Sequence, residues 1–519
     1  MTNPLALLRK TSHLFKIPCK IQNPNPNYNK LLSTILNAIL HANPFWVQLI
    51  YFVILSLLGF VALQTLEFKT SSFTPKTIDL FFTAVSAVTV SSMSTLDMEV
   101  FSNTQLIVLM FLMFMGGDVF VSMLGVQSRN FKHRLVNSHD HSNLDSGCSI
   151  ELGIGSDDIK PFASDQCLDK KYLMYEGNRS LGYVILCYIL IVHFIGFISV
   201  YFYITFNHGT KSLLISKGLC RHTFSLFTTI STFANCGFVP TNENMTIFKK
   251  NSGLLLILIP QILLGSTLYP VVLRAIISLL EKITKRVELG YMLMYPKEMN
   301  YGSLMPKVES FYLAGTVFGL IFVQFVVFCC LEWNNMEVMD GLNGYEKVIG
   351  CFFQVVNTRY AGEAVFDLSK ISPAILVGFV VMMYLPPLTI YLPVEDDKNS
   401  HRRYQKKSFV DYFLFSQLTY LIIFTVLICL SERKKMDTDP LNFNVLNIVF
   451  EVFSAYGNVG LSTSYSCQRR IKTEGNCQDE WYGFAGRWTN SGKYLLILVM
   501  FVGRLKNFNK NGGRFWNTF

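Results

Sequence analysis

The stretch FFTAVSAVTVSSMST, residues 81–95, decides how the rest of the chain is read. It begins as an apolar helix-forming run and ends in five hydroxyl residues, Thr89, Ser91, Ser92, Ser94 and Thr95. It sits between long apolar runs at about 44–64 and 104–125, each close to the roughly 20 residues a bilayer core requires. The stretch itself is too short to cross as a helix. A polar coil facing lipid would leave backbone groups unpaired at several kcal/mol each. Coil at that depth must therefore be buried in protein or line a water-filled path.

The remaining sequence repeats this pattern. Of the 519 residues, 51% are apolar and only 15% charged, against about 25% charged in soluble domains. This balance implies a polytopic membrane protein in a lipid bilayer. The net charge of +10 is scattered between apolar segments, so no nucleic-acid partner is expected. Further long apolar runs lie at about 181–206, 252–280, 309–331, 371–394, 409–430 and 492–503, giving eight expected transmembrane helices. Between the members of each pair lies a shorter half-apolar segment, at 76–90, 220–235, 345–358 and 440–456. Thr74-Pro75 and Asp439-Pro440 give two of these segments a start signal, a capping residue followed by proline.

The four short segments align in their tails. Placing SAVTVSSMST (86–95), STFANCGFVP (231–240), VNTRYAGEAV (356–365) and SAYGNVGLST (454–463) in one register puts Ser92, Gly237, Gly362 and Gly460 in one column. Val90, Ser91, Cys236, Ala361 and Val459 flank that column. The second long run of each unit reaches an interruption, at Gly116-Gly117, Gly265-Ser266, Pro386-Pro387 and Gly503-Arg504. The fold expected is an all-α integral membrane protein of four repeated helix–pore-helix–helix units around a central pore. Units are expected at 44–125, 181–281, 309–394 and 409–510. Loops at 126–180, 282–308 and 395–408, a tail at 1–43 and a tail at 511–519 complete the chain. Lys and Arg at the inter-unit connections make these loops and the N-terminus cytoplasmic.

Four coils converging on one axis would supply rings of carbonyl oxygens able to replace the water shell of a monovalent cation. The short helices would aim their negative C-terminal ends at the same axis. Glycine suits the shared column because it allows backbone angles closed to other residues and leaves room for an ion. Ser92 departs from this. Its side chain narrows one quadrant and adds a hydroxyl, which should handicap potassium more than sodium. Ser91 is the neighbour that could hold the role instead; the register favours Ser92.

SAVTVSSMSTLDMEVFSN, FTTISTFANCGFVPTNENM, FQVVNTRYAGE and SAYGNVGLSTSYSC resemble the four pore loops of the plant high-affinity potassium transporter family, relatives of microbial Trk and Ktr cation transporters. The likeness covers about 44–510, and the first-unit serine resembles the sodium-selective subgroup. The resemblance implies passive flow of sodium through the filter, a plasma-membrane location, retrieval of sodium from the xylem stream and a homodimer. Potassium permeation, or sodium–potassium symport, is the alternative. No cofactor is implied. An enzyme is not expected, since the apolar runs carry almost no acid–base or metal-binding groups.

Outside the filter, Asp97, Glu99, Glu243, Glu363 and Asp367 are candidates for a cation-concentrating pore mouth. The alternative is that they cap turns or pair with neighbours such as Arg359. Arg504, in the last apolar run, matches by the resemblance a pore-facing barrier arginine; a snorkelling arginine is the alternative, and Lys506 is a weaker candidate. Cys467 and Cys477 lie in a polar loop and are disulfide candidates if that loop is extracellular. His139 and His141 read as a solvated loop, and Asn244-Met245-Thr246 is a glycosylation sequon too near the filter to expect modification.

Overall fold

The computed structural model describes residues 44–69, 74–130, 162–299, 301–385, 417–470, 479–480 and 483–509, with the side chains at 44, 162–171 and 507–509 excepted. Pro386-Pro387, His139, His141 and Cys477 lie outside the described residues. Within them the chain is helical, with one isolated antiparallel bridge between Tyr465 and Glu480.

Four units follow in order, each an outer helix, a short pore helix, a filter loop and an inner helix. The outer helices are Pro44–Thr65, Phe162–Phe206, Lys307–Glu332 and Gln417–Ser431. The pore helices are Thr77–Val88, Arg221–Ala234, Gly344–Asn357 and Val445–Gly457. At 12 to 14 residues they reach about 18–21 Å, short of the ~30 Å apolar thickness of a bilayer. The inner helices are Asn103–Gly116, Ser252–Leu264, Pro373–Tyr384 and Asn490–Asn509.

Two start signals work differently from the sequence expectation. The first pore helix begins at Thr77 after Lys76, which makes no side-chain cap. The fourth is capped by Asn444, whose side chain accepts from the Asn447 amide at 2.7 Å. Asp439 instead accepts from Asn442 and, at 2.9 Å, from the Tyr465 hydroxyl. Two expected loops also carry helix. The second outer helix starts at Phe162, well before its apolar window, and the connection after the second unit folds into Val287–Met294. These pack together: a methyl group on Gly177 would meet Met299 Cε at 3.0 Å and Met292 Cγ at 3.4 Å.

The pore helices share one way of stopping. In units one, two and four a residue takes left-handed backbone angles, Val90 (φ 51), Asn235 (φ 56) and Asn458 (φ 53). The next amide then bonds five residues back: Ser91 to Ser86 at 2.9 Å, Cys236 to Ser231 at 2.9 Å and Val459 to Ser454 at 3.0 Å. This is the 6→1 bond of a Schellman ending. Asn tolerates the conformation; Val90, being β-branched, is strained in it. In unit three the equivalent bond runs from Gly362 to Asn357 at 3.1 Å, one position later, with no left-handed residue at 360.

The inner-helix glycines explain how units one, two and four close. A Cβ on Gly116 would lie 2.1 Å from Val88 O, on Gly265 1.8 Å from Phe233 O, and on Gly503 2.2 Å from Tyr456 O. Each carbonyl stands two residues before the left-handed residue of its own pore helix, so one backbone contact recurs in three units. The chain bends by 57° after Gly116, before the helix Asp118–Asn130, and by 79° after Leu264, before Tyr269–Thr284. The expected interruption at Gly503-Arg504 does not occur: the helix Asn490–Asn509 runs through it. Gly503 is there for close packing, not for a break.

Buried carboxylates tie the helices at their other ends. Glu332 accepts from the Ser372 amide at 2.9 Å, and Glu432 from the Thr489 amide at 2.8 Å and hydroxyl at 2.6 Å. Each joins an outer helix to the start of its inner helix. Asp79 of the first pore helix pairs with Lys493 of the fourth inner helix at 2.6 Å, both buried. Removing one partner of such a pair would leave an uncompensated buried charge, at about 3–5 kcal/mol.

Candidate cation filter

Ser92, Gly237, Gly362 and Gly460 meet. All four have left-handed backbone angles, with φ of 50, 85, 70 and 93. They touch in cyclic order. A Cβ on Gly237 would fall 1.5 Å from Ala361 O, on Gly362 2.0 Å from Val459 O, and on Gly460 2.6 Å from Ser91 O. The circle closes between units one and two, where the same Gly237 position is 3.3 Å from Ser92 Oγ and the Cys236 side chain meets the Ser92 backbone. All four line one open vestibule. Glycine therefore has a further cause beyond backbone freedom: the carbonyl before each following filter residue occupies the space a side chain would need.

Ser92 is the exception, and Gly460 allows it. Ser92 Cβ lies 2.1 Å from where a Cβ of Gly460 would be, so only one of the two residues can carry a side chain. Ser92 has the same backbone conformation as the glycines but adds a hydroxymethyl group to the ring. Ser91 does other work. It is fully buried, its hydroxyl shares a 2.8 Å hydrogen bond with Thr89 and accepts from Asn458 Nδ2 at 2.7 Å, linking units one and four.

The loops beyond the ring are held from the pore helices. Gln354 Oε1 accepts from the Val365 amide at 3.0 Å, Ser454 Oγ from the Gly460 amide at 3.0 Å, and Glu451 from the Thr463 amide at 3.2 Å. These bonds satisfy buried backbone groups of the loops.

The acidic residues divide. Glu243 and Asp367 line the vestibule. Asp367 also caps a turn, accepting from the Ser369 amide at 3.0 Å. Glu99 and Glu243 share one ammonium: Lys217 Nζ lies 2.8 Å from Glu99 and 2.7 Å from Glu243. Nothing in the sequence pointed to Lys217, which sits between the second outer and pore helices. Burial, with Glu99 and Glu243 nearby, pushes the Asp97 carboxyl up to about 6 despite Lys217. Glu363 is not at the mouth. It is fully buried, accepts from Thr232 Oγ1 of the second pore helix at 2.7 Å, and its amide donates to Asn357 Oδ1 at 3.1 Å. Asn244 lines the vestibule, which is no place for a glycan.

At the far end of the inner helices, Arg504 is buried. It pairs with Asp118 at 2.6 Å, donates to the Gly116 carbonyl and stands 5.3 Å from the Phe52 ring centroid. Its guanidinium turns to the end of the first inner helix, where the Asp118 side chain is itself largely exposed. Lys506 donates to the Tyr456 carbonyl at 3.2 Å. Cys467 is disulfide-bonded; its expected partner Cys477 is outside the described residues.

Four short pore helices whose following loops meet at Ser92, Gly237, Gly362 and Gly460 define a pore-loop architecture. The chain belongs to the TrkH family of cation transport proteins, whose family model matches residues 169–389 and 392–509. It is 44% identical over 485 residues to "Cation transporter HKT1;3" of Oryza sativa subsp. japonica, covering 91% of each chain. It is also 44% identical over 477 residues to "Sodium transporter HKT1" of Arabidopsis thaliana, covering 88% of this chain and 91% of that one. The fold resembles the potassium transporter TrkH from Vibrio parahaemolyticus, with a TM-score of 0.50 at 14% identity, over 89% of this chain and 82% of that chain. The protein is thus a monovalent cation transporter and not an enzyme.

Proposed function

We propose that this chain carries sodium passively across the plasma membrane, selecting it over potassium at the filter, with its N-terminus in the cytoplasm and a role in withdrawing sodium from the xylem stream. The observation that carries the reading is Ser92 standing in a ring otherwise made of glycine, at φ 50 and beside the side-chain space left free by Gly460. A backbone like that of its three counterparts keeps the carbonyl ring, while the hydroxymethyl group removes room from one quadrant. A larger ion loses more from such crowding than a smaller one. The similarity to a sodium transporter supports the same reading. Arg504 adds a positive barrier beneath the ring, moderated by Asp118.

Reversal potentials under voltage clamp, in sodium, potassium and mixed baths, test the proposal. The wild type should follow the sodium gradient, and Ser92→Gly should admit potassium. Equal permeability in the wild type, or an unchanged preference in Ser92→Gly, would reject the serine's role. Stimulation of sodium uptake by external potassium would favour symport instead.

A further inference from the structure

Lys217 has no part in the filter, yet its ammonium sits in a place built for a cation. It follows the helix His208–Ser216 as its C-terminal cap. Its carbonyl accepts from Lys69 Nζ at 2.9 Å, which fixes the backbone. Its Nζ donates to Glu99 Oε1 at 2.8 Å and to both Glu243 oxygens at 2.7 and 2.8 Å. Glu99 is held independently of the lysine. Its Oε1 accepts from the Asn242 amide at 3.2 Å, and its own amide donates to Asn242 Oδ1 at 3.1 Å. Unit one and unit two thus present two carboxylates that already share one cation, and Glu243 lines the vestibule above the filter. Asp97 adds a third carboxylate within electrostatic reach.

We propose that Lys217 is a tethered cation that occupies this carboxylate pair and keeps the mouth from capturing divalent cations on the way to the filter. Hard divalent ions take carboxylate oxygens, singly or in bidentate mode, and complete their shell with water. Glu99 and Glu243 offer four such oxygens. A monovalent conductor needs sites that ions leave quickly; a divalent ion seated here would hold the entrance. The lysine is only partly exposed, at 22%, as are Glu99 at 21% and Glu243 at 32%, so bulk ions reach the pair. A covalently attached ammonium competes with them at a high local concentration. The inference rests on the cation-transport reading of the same pore.

The test is sodium current in the full-length protein under voltage clamp, with external calcium chloride raised from micromolar to millimolar at constant ionic strength. Lys217→Gln should be blocked at calcium concentrations at least about tenfold lower than the wild type, a change of about 1.4 kcal/mol. Lys217→Arg should behave like the wild type. Lys217→Gln combined with Glu99→Gln and Glu243→Gln should lose the added block. Thermal unfolding of the detergent-solubilised protein gives a second readout. Calcium, but not choline chloride of equal ionic strength, should raise the midpoint of Lys217→Gln and leave the wild type unmoved. Equal calcium responses of Lys217→Gln and wild type in both assays would show that the lysine is only a staple between units one and two. Absence of current in every variant, with the calcium-dependent shift retained, would reject the transport reading while supporting the cage.

Discussion

Replacing Gly460 with alanine tests the filter geometry most directly. The new Cβ would stand 2.1 Å from Ser92 Cβ, 2.6 Å from Ser91 O and 2.9 Å from Ser92 Cα. Carbon atoms at ease are about 3.5–4.0 Å apart. The contacts are backbone or one bond from it, so nothing can rotate away. Overpacking of this kind costs about 1–3 kcal/mol. A non-glycine residue at φ 93 costs a further ~1–3 kcal/mol. Together they are a large share of a typical folding stability of about 5–15 kcal/mol. Gly460→Ala should lower the unfolding midpoint of the solubilised protein and its surface abundance, and abolish current. Adding Ser92→Gly removes the Ser92 Cβ contact and leaves the 2.6 Å contact with Ser91 O, so rescue should be partial. A double-mutant cycle should then show coupling well above the ~0.5 kcal/mol seen for independent sites. Wild-type stability in Gly460→Ala, or strict additivity with Ser92→Gly, would refute the contact between units one and four.

Ser91→Ala should cost about 0.5–1.5 kcal/mol through loss of the Asn458 bond, read as a lower unfolding midpoint, while leaving the sodium-to-potassium permeability ratio unchanged. Arg504→Gln should raise current, about fivefold for each ~1 kcal/mol of barrier removed; Asp118→Asn should lower it by freeing the arginine's charge, and effects of the same sign in the two variants would count against the barrier. Asp97, raised to about 6, is neutral below that pH and charged above it. Its contribution to stability is therefore full below the unfolded carboxyl value and lost as pH rises through about 6, whereas its attraction for cations grows over the same window. Sodium current at low external sodium should rise as the bath goes from about pH 5 to about pH 7, and Asp97→Asn should flatten that rise.

Some of these features were legible in the chain and some were not. The filter column was legible because glycine or a small residue is needed wherever backbone takes left-handed angles beside another backbone, and that demand repeats in every unit. The recurrence of Gly116, Gly265 and Gly503 was legible for a related reason; the expected break is present after Gly116 and at Gly265, whereas at Gly503 the helix continues and the glycine serves packing alone. A glycine is equally a breaker and a packing surface, and only the neighbouring carbonyl of Val88, Phe233 or Tyr456 tells the two apart. Thr74-Pro75 and Asp439-Pro440 were plausible starts that the fold overrode, since Asp439 found partners in Asn442 and Tyr465.

By itself the sequence determined the number of units and the small residues of the filter column, because these follow from local hydropathy and backbone sterics. The tertiary structure alone decided which partner each polar residue found. Ser91 bonds a residue 367 positions away, Glu363 is turned inward to Thr232, and Lys217 is drawn between two carboxylates of different units. Electrostatics and packing act through space, so charges and hydroxyls of one kind in the chain take opposite roles once the four hairpins have met.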